Sequence, residues 1–206
     1  MNIIEIKKKA LYDNIPIVMD DSLEVIKEIL KKEKPKSILE IGTATGYSSI
    51  CFATIVLENC NDESIHIDTI EMDENRADEA IKNILQMGLN KKIRVIKGNA
   101  VEVLPTLDKK YDMIFIDAAK GKYPIFLKEA IRMSHVGTVI IADNILYKGY
   151  VMSDYNKHKQ RTAVTHLREY IKLVTEDKKL ETKILEVGDG LAISKVLIWL
   201  KSRKTI

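Results

Sequence analysis

Ser37-Ile38-Leu39-Glu40-Ile41-Gly42-Thr43-Ala44-Thr45-Gly46-Tyr47-Ser48 contains a strand, a turn and the start of a helix. Ser37 to Ile41 reads as a buried strand, because a short, mostly apolar run leads directly into a glycine. Gly42 and Gly46 frame the turn, where a missing side chain lets backbone approach a ligand. A helix is expected from about Tyr47 to Leu57. In open α/β sheets ligands bind beyond the carboxyl ends of the strands, so this turn is placed to hold one. Its spacing is not G-x-G-x-x-G, the tighter turn that a pyrophosphate needs together with a free helix N-terminus. Glu40 at the strand end would repel phosphate, yet it could accept a hydrogen bond from a cationic amino acid. Glycine-bearing turns also join strands to helices with no ligand at all, so this stretch alone leaves both readings open.

The alternation continues on both sides. Upstream, Asp20, Asp21 and Ser22 are placed to cap a helix with the apolar face Leu23, Ile26, Ile29 and Leu30, and Pro35 lies beyond its end. Downstream, strand-like runs at Ile65 to Glu71, Ile93 to Ile96, Tyr111 to Asp117 and Thr138 to Ala142 alternate with helix-like runs. Those helices cover Asp73 to Met87, stopped at Gly88, then Ala100 to Leu107 and Pro124 to Ser134. Such alternation requires a doubly wound α/β fold, a mostly parallel sheet with helices on both faces. The end of the chain departs from it. A helical region over about Lys157 to Val174 precedes two strand-like runs, Thr182 to Val187 and Leu191 to Leu197, joined through Gly188-Asp189-Gly190. That is the signature of an antiparallel hairpin, and it brings the expected sheet to seven strands.

Composition narrows the function classes. A chain of 206 residues, 46% hydrophobic, can bury one substantial core, so 1–206 is expected to form one domain, with 1–20 as an N-terminal lid or interface segment. Charged residues make up 31% and nearly balance, at net +3, which excludes a strongly basic whole-chain nucleic-acid binder but allows a local basic patch. Cys51 and Cys60 match no CxxC or zinc-ligand spacing and read as reduced and structural. Met1 to Leu11 lacks the apolar run and cleavage site of a signal peptide, and no stretch of about 18 apolar residues could span a membrane. The cytoplasm is the expected location.

Three further motifs lie at strand ends. Glu71 ends the second strand, about thirty residues after Glu40, where a carboxylate can accept both hydroxyls of a ribose. It would equally serve as a surface acid opening the next helix. Gly98-Asn99-Ala100, after the third strand, is either an adenine neighbourhood or simply a turn. Asp117 ends the fourth strand and Asp143-Asn144 the fifth, so neighbouring parallel strands would bring these side chains to one rim. Either acid alone would read as a helix cap. Together, two carboxylates and an amide carbonyl form a set of hard oxygen donors, suited to Mg2+ or Ca2+ and not to zinc. Lys120, three residues after Asp117, would have its pKa lowered by a neighbouring cation and could take a proton from a substrate hydroxyl. A solvated lysine is the plain alternative in a chain with 33 Lys and Arg residues.

Glu40 to Ser48, Glu71-Met72, Asp117-Ala118-Ala119-Lys120, Asp143-Asn144 and Gly188-Asp189-Gly190-Leu191 together resemble the cation-dependent O-methyltransferases, which include the catechol and caffeoyl-CoA enzymes. The resemblance runs from about Ile17 to Lys195. It implies the class I methyltransferase (Rossmann-like) fold and S-adenosylmethionine as cofactor. Glu40, Gly42, Tyr47 and Ser48 would then hold the methionine portion, with Met19, Thr43 and Asp117 also among the cofactor's contacts. Glu71 would hold the ribose, and Met72, Gly98 and Ala100 would lie near the adenine. Asp117, Asp143 and Asn144 would bind Mg2+ or Mn2+, and Lys120 would be the general base. Relatives of this kind are often homodimers.

Asp143-Asn144-Ile145-Leu146-Tyr147-Lys148-Gly149-Tyr150-Val151, taken with Gly188 to Ser194, most resembles a bacterial branch that methylates 5-hydroxyuridine at the tRNA wobble position. The 5-hydroxyl and 4-carbonyl of that base are neighbours, as are the two oxygens of a catechol. Lys148, Lys157, His158, Lys159 and Arg161, with Lys7, Lys8, Lys9, Lys31, Lys32, Lys34 and Lys36, supply basic density for the phosphates of an anticodon loop. Acidic residues interleave with them, so each cluster alone also fits a solvated face. Tyr147 or Tyr150 could stack on a base or simply pack. Three other readings stand beside this one. They are a catechol-type enzyme acting on a free phenol, a cofactor-binding module without catalysis, and a nicotinamide oxidoreductase. The glycine spacing disfavours the last.

Overall fold

The computed structural model describes residues 2–59, 64–154, 158 and 160–197. Cys60, Lys157, Lys159 and the tail from Lys201 lie outside them. The strands are β1 (Ser37–Ile41), β2 (His66–Glu71), β3 (Ile93–Lys97), β4 (Tyr111–Ile116), β5 (Ser134–Ala142), β6 (Leu180–Leu185) and β7 (Leu191–Val196). They form one seven-stranded sheet in the order β3-β2-β1-β4-β5-β7-β6. β1 to β5 pair in parallel, and β7 inserts antiparallel between β5 and β6. The chain order reverses at β1 and β4, the switch point where an α/β sheet opens a crevice.

Strand alternation divides the interior in two. Ile38, Met113, Phe115, Val139 and Ile141 face one core, shared with α1 (Ile3–Tyr12), α2 (Asp20–Glu33), α3 (Tyr47–Asn59) and α4 (Glu74–Gln86). Leu39, Ile41, Ile114, Ile116 and Ile140 face the other, with α6 (Tyr123–Arg132) and α7 (Arg161–Glu176). α5 (Ala100–Val103), followed by a 3-10 turn over Leu104–Thr106, packs on this second core as well. The helix expected to run on to Leu107 stops early because Pro105 falls within that turn.

Two boundaries differ more widely. α1 was not anticipated as a helix, although Asn2 and Glu5 form a reciprocal capping box at its start. At α2 the cap is Met19, with no side-chain cap bond. Asp21 instead accepts from the Gly188 N–H at 3.0 Å, tying the start of α2 to the β6–β7 turn. Among the described residues no helix is long and apolar enough to cross a membrane.

Candidate active site

Register brings four loops to one edge. The Gly42 N–H donates to Ile70 O at 3.0 Å, and the Asp117 N–H donates to Ile41 O at 3.0 Å. Asp143 N–H reaches Ile116 O at 3.0 Å, and Gly98 N–H reaches Glu71 O at 2.8 Å. Above this edge opens a cleft of about 840 Å³. Gly42, Thr43, Tyr47, Ser48, Glu71, Met72, Gly98, Ala100, Asp117, Lys120 and Asn144 all line it, together with Ile17 and Val18 from the segment before α2. Met19 does not line it, and its sulfur lies beside Gly188.

Glu71 holds the binding loop in shape. One carboxylate oxygen accepts from the Ala44 N–H at 2.8 Å and the other from the Asp73 N–H at 2.9 Å. Each oxygen keeps a second lone pair for a ligand hydroxyl. Glu40 is fully buried and does not line the cleft. It accepts from Ser48, Ser49 and Thr69 hydroxyls, each at 2.5 Å. Strand alternation turns it inward, so its carboxylate holds the first turn of α3, to which Ser48 and Ser49 belong.

Burial pushes the Glu40 carboxyl up to about 7, against the pull of the three hydroxyls. Its folded value lies above the ordinary 4.5, so the folded chain keeps a proton that the unfolded chain releases between those pH values. Glu40's contribution to stability therefore falls as pH rises from about 5 to 7. Glu40→Gln cannot ionise, and its stability relative to the parent should improve by roughly 2 kcal/mol between pH 5 and pH 8. Urea unfolding at the two pH values checks this, and parallel curves for the two proteins would refute it.

The acidic rim is assembled around Lys120, which sits in a 3-10 turn, Lys120–Lys122, directly before α6. Its ammonium donates to Asp117 Oδ1 at 2.9 Å, Asn144 Oδ1 at 2.9 Å and the Tyr123 hydroxyl at 3.0 Å. Burial works against the charge, but Tyr123 and Asp117 outweigh it and hold the ammonium above the ordinary lysine range. The lowering expected from the sequence presupposed a neighbouring cation, and in this arrangement Tyr123 and Asp117 decide the sign. Tyr123 was not singled out from the sequence, where an aromatic opening a helix looks like core. Its hydroxyl is fixed by donating to Asp143 O at 2.8 Å.

Asp143 is fully buried. Its Oδ1 accepts from the Asn144 N–H at 2.7 Å, while Oδ2 is buried with no hydrogen-bond partner among the described residues. Burial, then the charge of Asp117, pushes its carboxyl up to about 7. An unsatisfied buried carboxylate oxygen is costly, and its presence here fits a donor waiting for a cation. Among the described residues no three His, Cys, Asp or Glu side chains gather as a metal group. The candidate donors are two carboxylates and one amide, a hard-oxygen set that fits Mg2+ or Mn2+.

The loop after Asp143 is strained. Asn144, Tyr147 and Lys148 take φ values of 55°, 46° and 57°, a region that non-glycine residues enter at a cost. The hairpin turn secures them. Asp189 Oδ1 accepts from the Lys148 N–H at 2.5 Å, and Asp189 O and Gly190 O accept from Leu146 and Ile145. A Cβ on Gly190 would stand 2.4 Å from Leu146 Cγ, so this close approach requires glycine. Asp189→Ala should loosen the loop and raise the KM for the acceptor roughly fivefold to tenfold, leaving cofactor affinity unchanged. Steady-state kinetics in both substrates decides it, and an equal change in both would count against a local effect.

The O-methyltransferase family profile matches residues 3–197. A catechol O-methyltransferase from Niastella koreensis is 34% identical over 77% of this chain and 72% of its own length. Caffeoyl-CoA O-methyltransferase 2 of Populus trichocarpa is 31% identical over 87% of this chain and 74% of its own. Among solved structures, a provisional caffeoyl-CoA O-methyltransferase from Staphylococcus aureus superposes with a TM-score of 0.86 at 34% identity, covering 95% of this chain and 92% of the other. An O-methyltransferase from Bacillus cereus, solved in complex with SAH, gives 0.83 at 27% identity, covering 94% and 90%. With its sheet order, its cleft and this similarity along nearly its whole length, the chain belongs to the O-methyltransferase family.

Proposed function

We propose that this chain transfers the methyl group of S-adenosylmethionine to a hydroxyl oxygen with the help of Mg2+ or Mn2+, and that the acceptor is 5-hydroxyuridine at the tRNA wobble position. The observation that carries the chemistry is the convergence of Asp117, Asn144 and Lys120 at the cleft wall, beside the unsatisfied Asp143 Oδ2. SAH in the Bacillus cereus relative supports the cofactor.

Tyr47 and Ser48 would face the methionine portion, Glu71 the ribose hydroxyls, and Met72, Gly98 and Ala100 the adenine. Asp117, Asp143 and Asn144 would hold the cation. When bound, a divalent cation supplies Lewis-acid charge that favours the deprotonated acceptor. Lys120 lines the cleft from the same wall; a bound cation would lower its pKa, and as the neutral amine it would take the hydroxyl proton. The chain's own share of the acceleration comes from holding acceptor and methyl donor at contact distance.

The tRNA acceptor rests on the loop after Asp143 and on charge at the cleft. Lys122 lines the cleft, and Lys148, His158 and Arg161 are exposed on the segment that follows. Tyr147 and Tyr150 pack edge to face at 5.8 Å, a rigid aromatic corner on that loop. A free catechol-like phenol is the second reading, favoured by the catechol O-methyltransferase relative. Mass spectrometry of tRNA nucleosides from a strain lacking the gene separates the two. Loss of 5-methoxyuridine with accumulation of 5-hydroxyuridine is the expected result, and an unchanged nucleoside profile would eliminate the RNA acceptor.

A further inference from the structure

We infer that the β6–β7 turn, Gly188-Asp189-Gly190, straps two walls of the cleft together, and that Asp21 is the positioning residue through which cofactor binding orders the loop after Asp143. The inference rests on the cofactor reading above and adds to it a residue that does not line the cleft.

The loop needs outside support. Asn144, Tyr147 and Lys148 all have positive φ, and backbone in that region relaxes unless other contacts oppose it. For 145–148 the opposing backbone bonds come from one turn. Ile145 N–H donates to Gly190 O at 3.0 Å, Leu146 N–H to Asp189 O at 2.9 Å and Lys148 N–H to Asp189 Oδ1 at 2.5 Å. Of residues 144–151 only Asn144 lines the cleft, so a ligand there would meet this loop at its first residue.

The same turn is anchored on its other side by the start of α2. Asp21 Oδ2 accepts from the Gly188 N–H at 3.0 Å, while Asp21 Oδ1 accepts from the Ser22 N–H at 2.9 Å, which fixes the carboxylate in that pose. The turn lies close against the helix. A Cβ on Gly188 would stand 2.6 Å from Ser22 Oγ and 3.4 Å from Met19 Sδ, and Ser22 is fully buried at this contact. Pro16, Ile17 and Val18, directly before Met19, line the cleft. A continuous path therefore runs from that segment through Met19 and Asp21, across the turn, and into the loop that carries Asn144. A ligand that orders 16–18 fixes the start of α2, and Asp21 passes that order to the turn. The consequence is a sequence of binding: the loop, with its Tyr147–Tyr150 corner, takes its shape once the cofactor is seated.

The test is amide hydrogen exchange of the full chain, read by mass spectrometry with and without saturating SAH. Parent, Asp21→Ala, Asp21→Ser and Asp20→Ala are compared, with calorimetry to fix saturation and melting curves to show folding. In the parent, SAH should slow exchange about fivefold or more both at 42–47 and at 145–148. In the Asp21 variants the slowing at 42–47 should persist and that at 145–148 should drop below about twofold, with SAH affinity within about fivefold of the parent. Asp20→Ala removes the neighbouring carboxylate, which pairs with Lys7, and should behave as the parent. It separates the link to the turn from a general effect of charge at the start of α2. Undiminished slowing at 145–148 in the folded Asp21 variants, an equal loss in Asp20→Ala, or no slowing there in the parent overturns the inference while the cofactor reading stands. If neither Asp21 variant folds or takes up SAH, Asp21 serves stability and the inference falls. A parent that does not bind SAH removes the cofactor reading and this inference with it.

Discussion

Asp143→Ala is expected to lower turnover by about a thousandfold while S-adenosylmethionine affinity changes only a few-fold. The buried carboxylate has one oxygen engaged by the Asn144 N–H and one with no partner. Its carboxyl is raised to about 7 by burial and by the charge of Asp117. A group held in that state destabilises the folded chain wherever it is ionised, which fits a residue kept for a ligand and not for stability. Removing it should therefore leave the melting temperature unchanged or raise it at pH 8, where the parent carries the charge and the variant does not. That combination, lost activity with retained stability, is not what a structural aspartate would give. Chelation of divalent ions should reproduce the activity loss in the parent and add nothing in the variant. Initial-rate assays, cofactor titration and thermal melts on the same two preparations decide the matter. A variant within tenfold of parental turnover would remove Asp143 from the catalytic apparatus.

The strand ends were legible because each combines a short apolar run with a chemically distinctive residue. Ser37–Ile41 is found where it was read, and Asp117 and Asp143 follow directly on the last residues of β4 and β5. Information that depended on partners distant in sequence was harder to read. Ser134 reads as the last residue of the helix begun at Pro124, yet it opens β5, because it pairs with Tyr111 across a register shift. Glu40 was legible as a residue of the site but not in its posture. Two of its three hydroxyl partners, Ser49 and Thr69, lie outside the Glu40 to Ser48 motif, and Thr69 sits on another strand. Tyr123 follows the same logic, because only the fold brings its hydroxyl to Asp143 O. Spacing reports which loop a residue leaves from, whereas its partners are set by packing between elements.

Gly42→Ala should cost roughly 3 kcal/mol or more of stability and abolish measurable cofactor binding. Gly42 has φ +105°, and an added Cβ would stand 2.1 Å from the Asp117 carbonyl oxygen and 2.9 Å from its carbonyl carbon. Both contacts are with backbone, so no rotamer change relieves them. The β1–α3 turn would have to move away from the end of β4, carrying the floor of the cleft from Asp117 and, through Asp117, from Lys120. Gly88→Ala separates this clash from the intrinsic cost of the backbone angle. Gly88 has φ +71° with nothing within 4 Å of its missing Cβ, so alanine there should cost only about 1 kcal/mol and leave turnover intact. Urea unfolding and cofactor titration of the two variants give the comparison. If Gly42→Ala were no worse than Gly88→Ala, the turn would not be pressed against β4, and the cleft would owe its shape to something other than that contact.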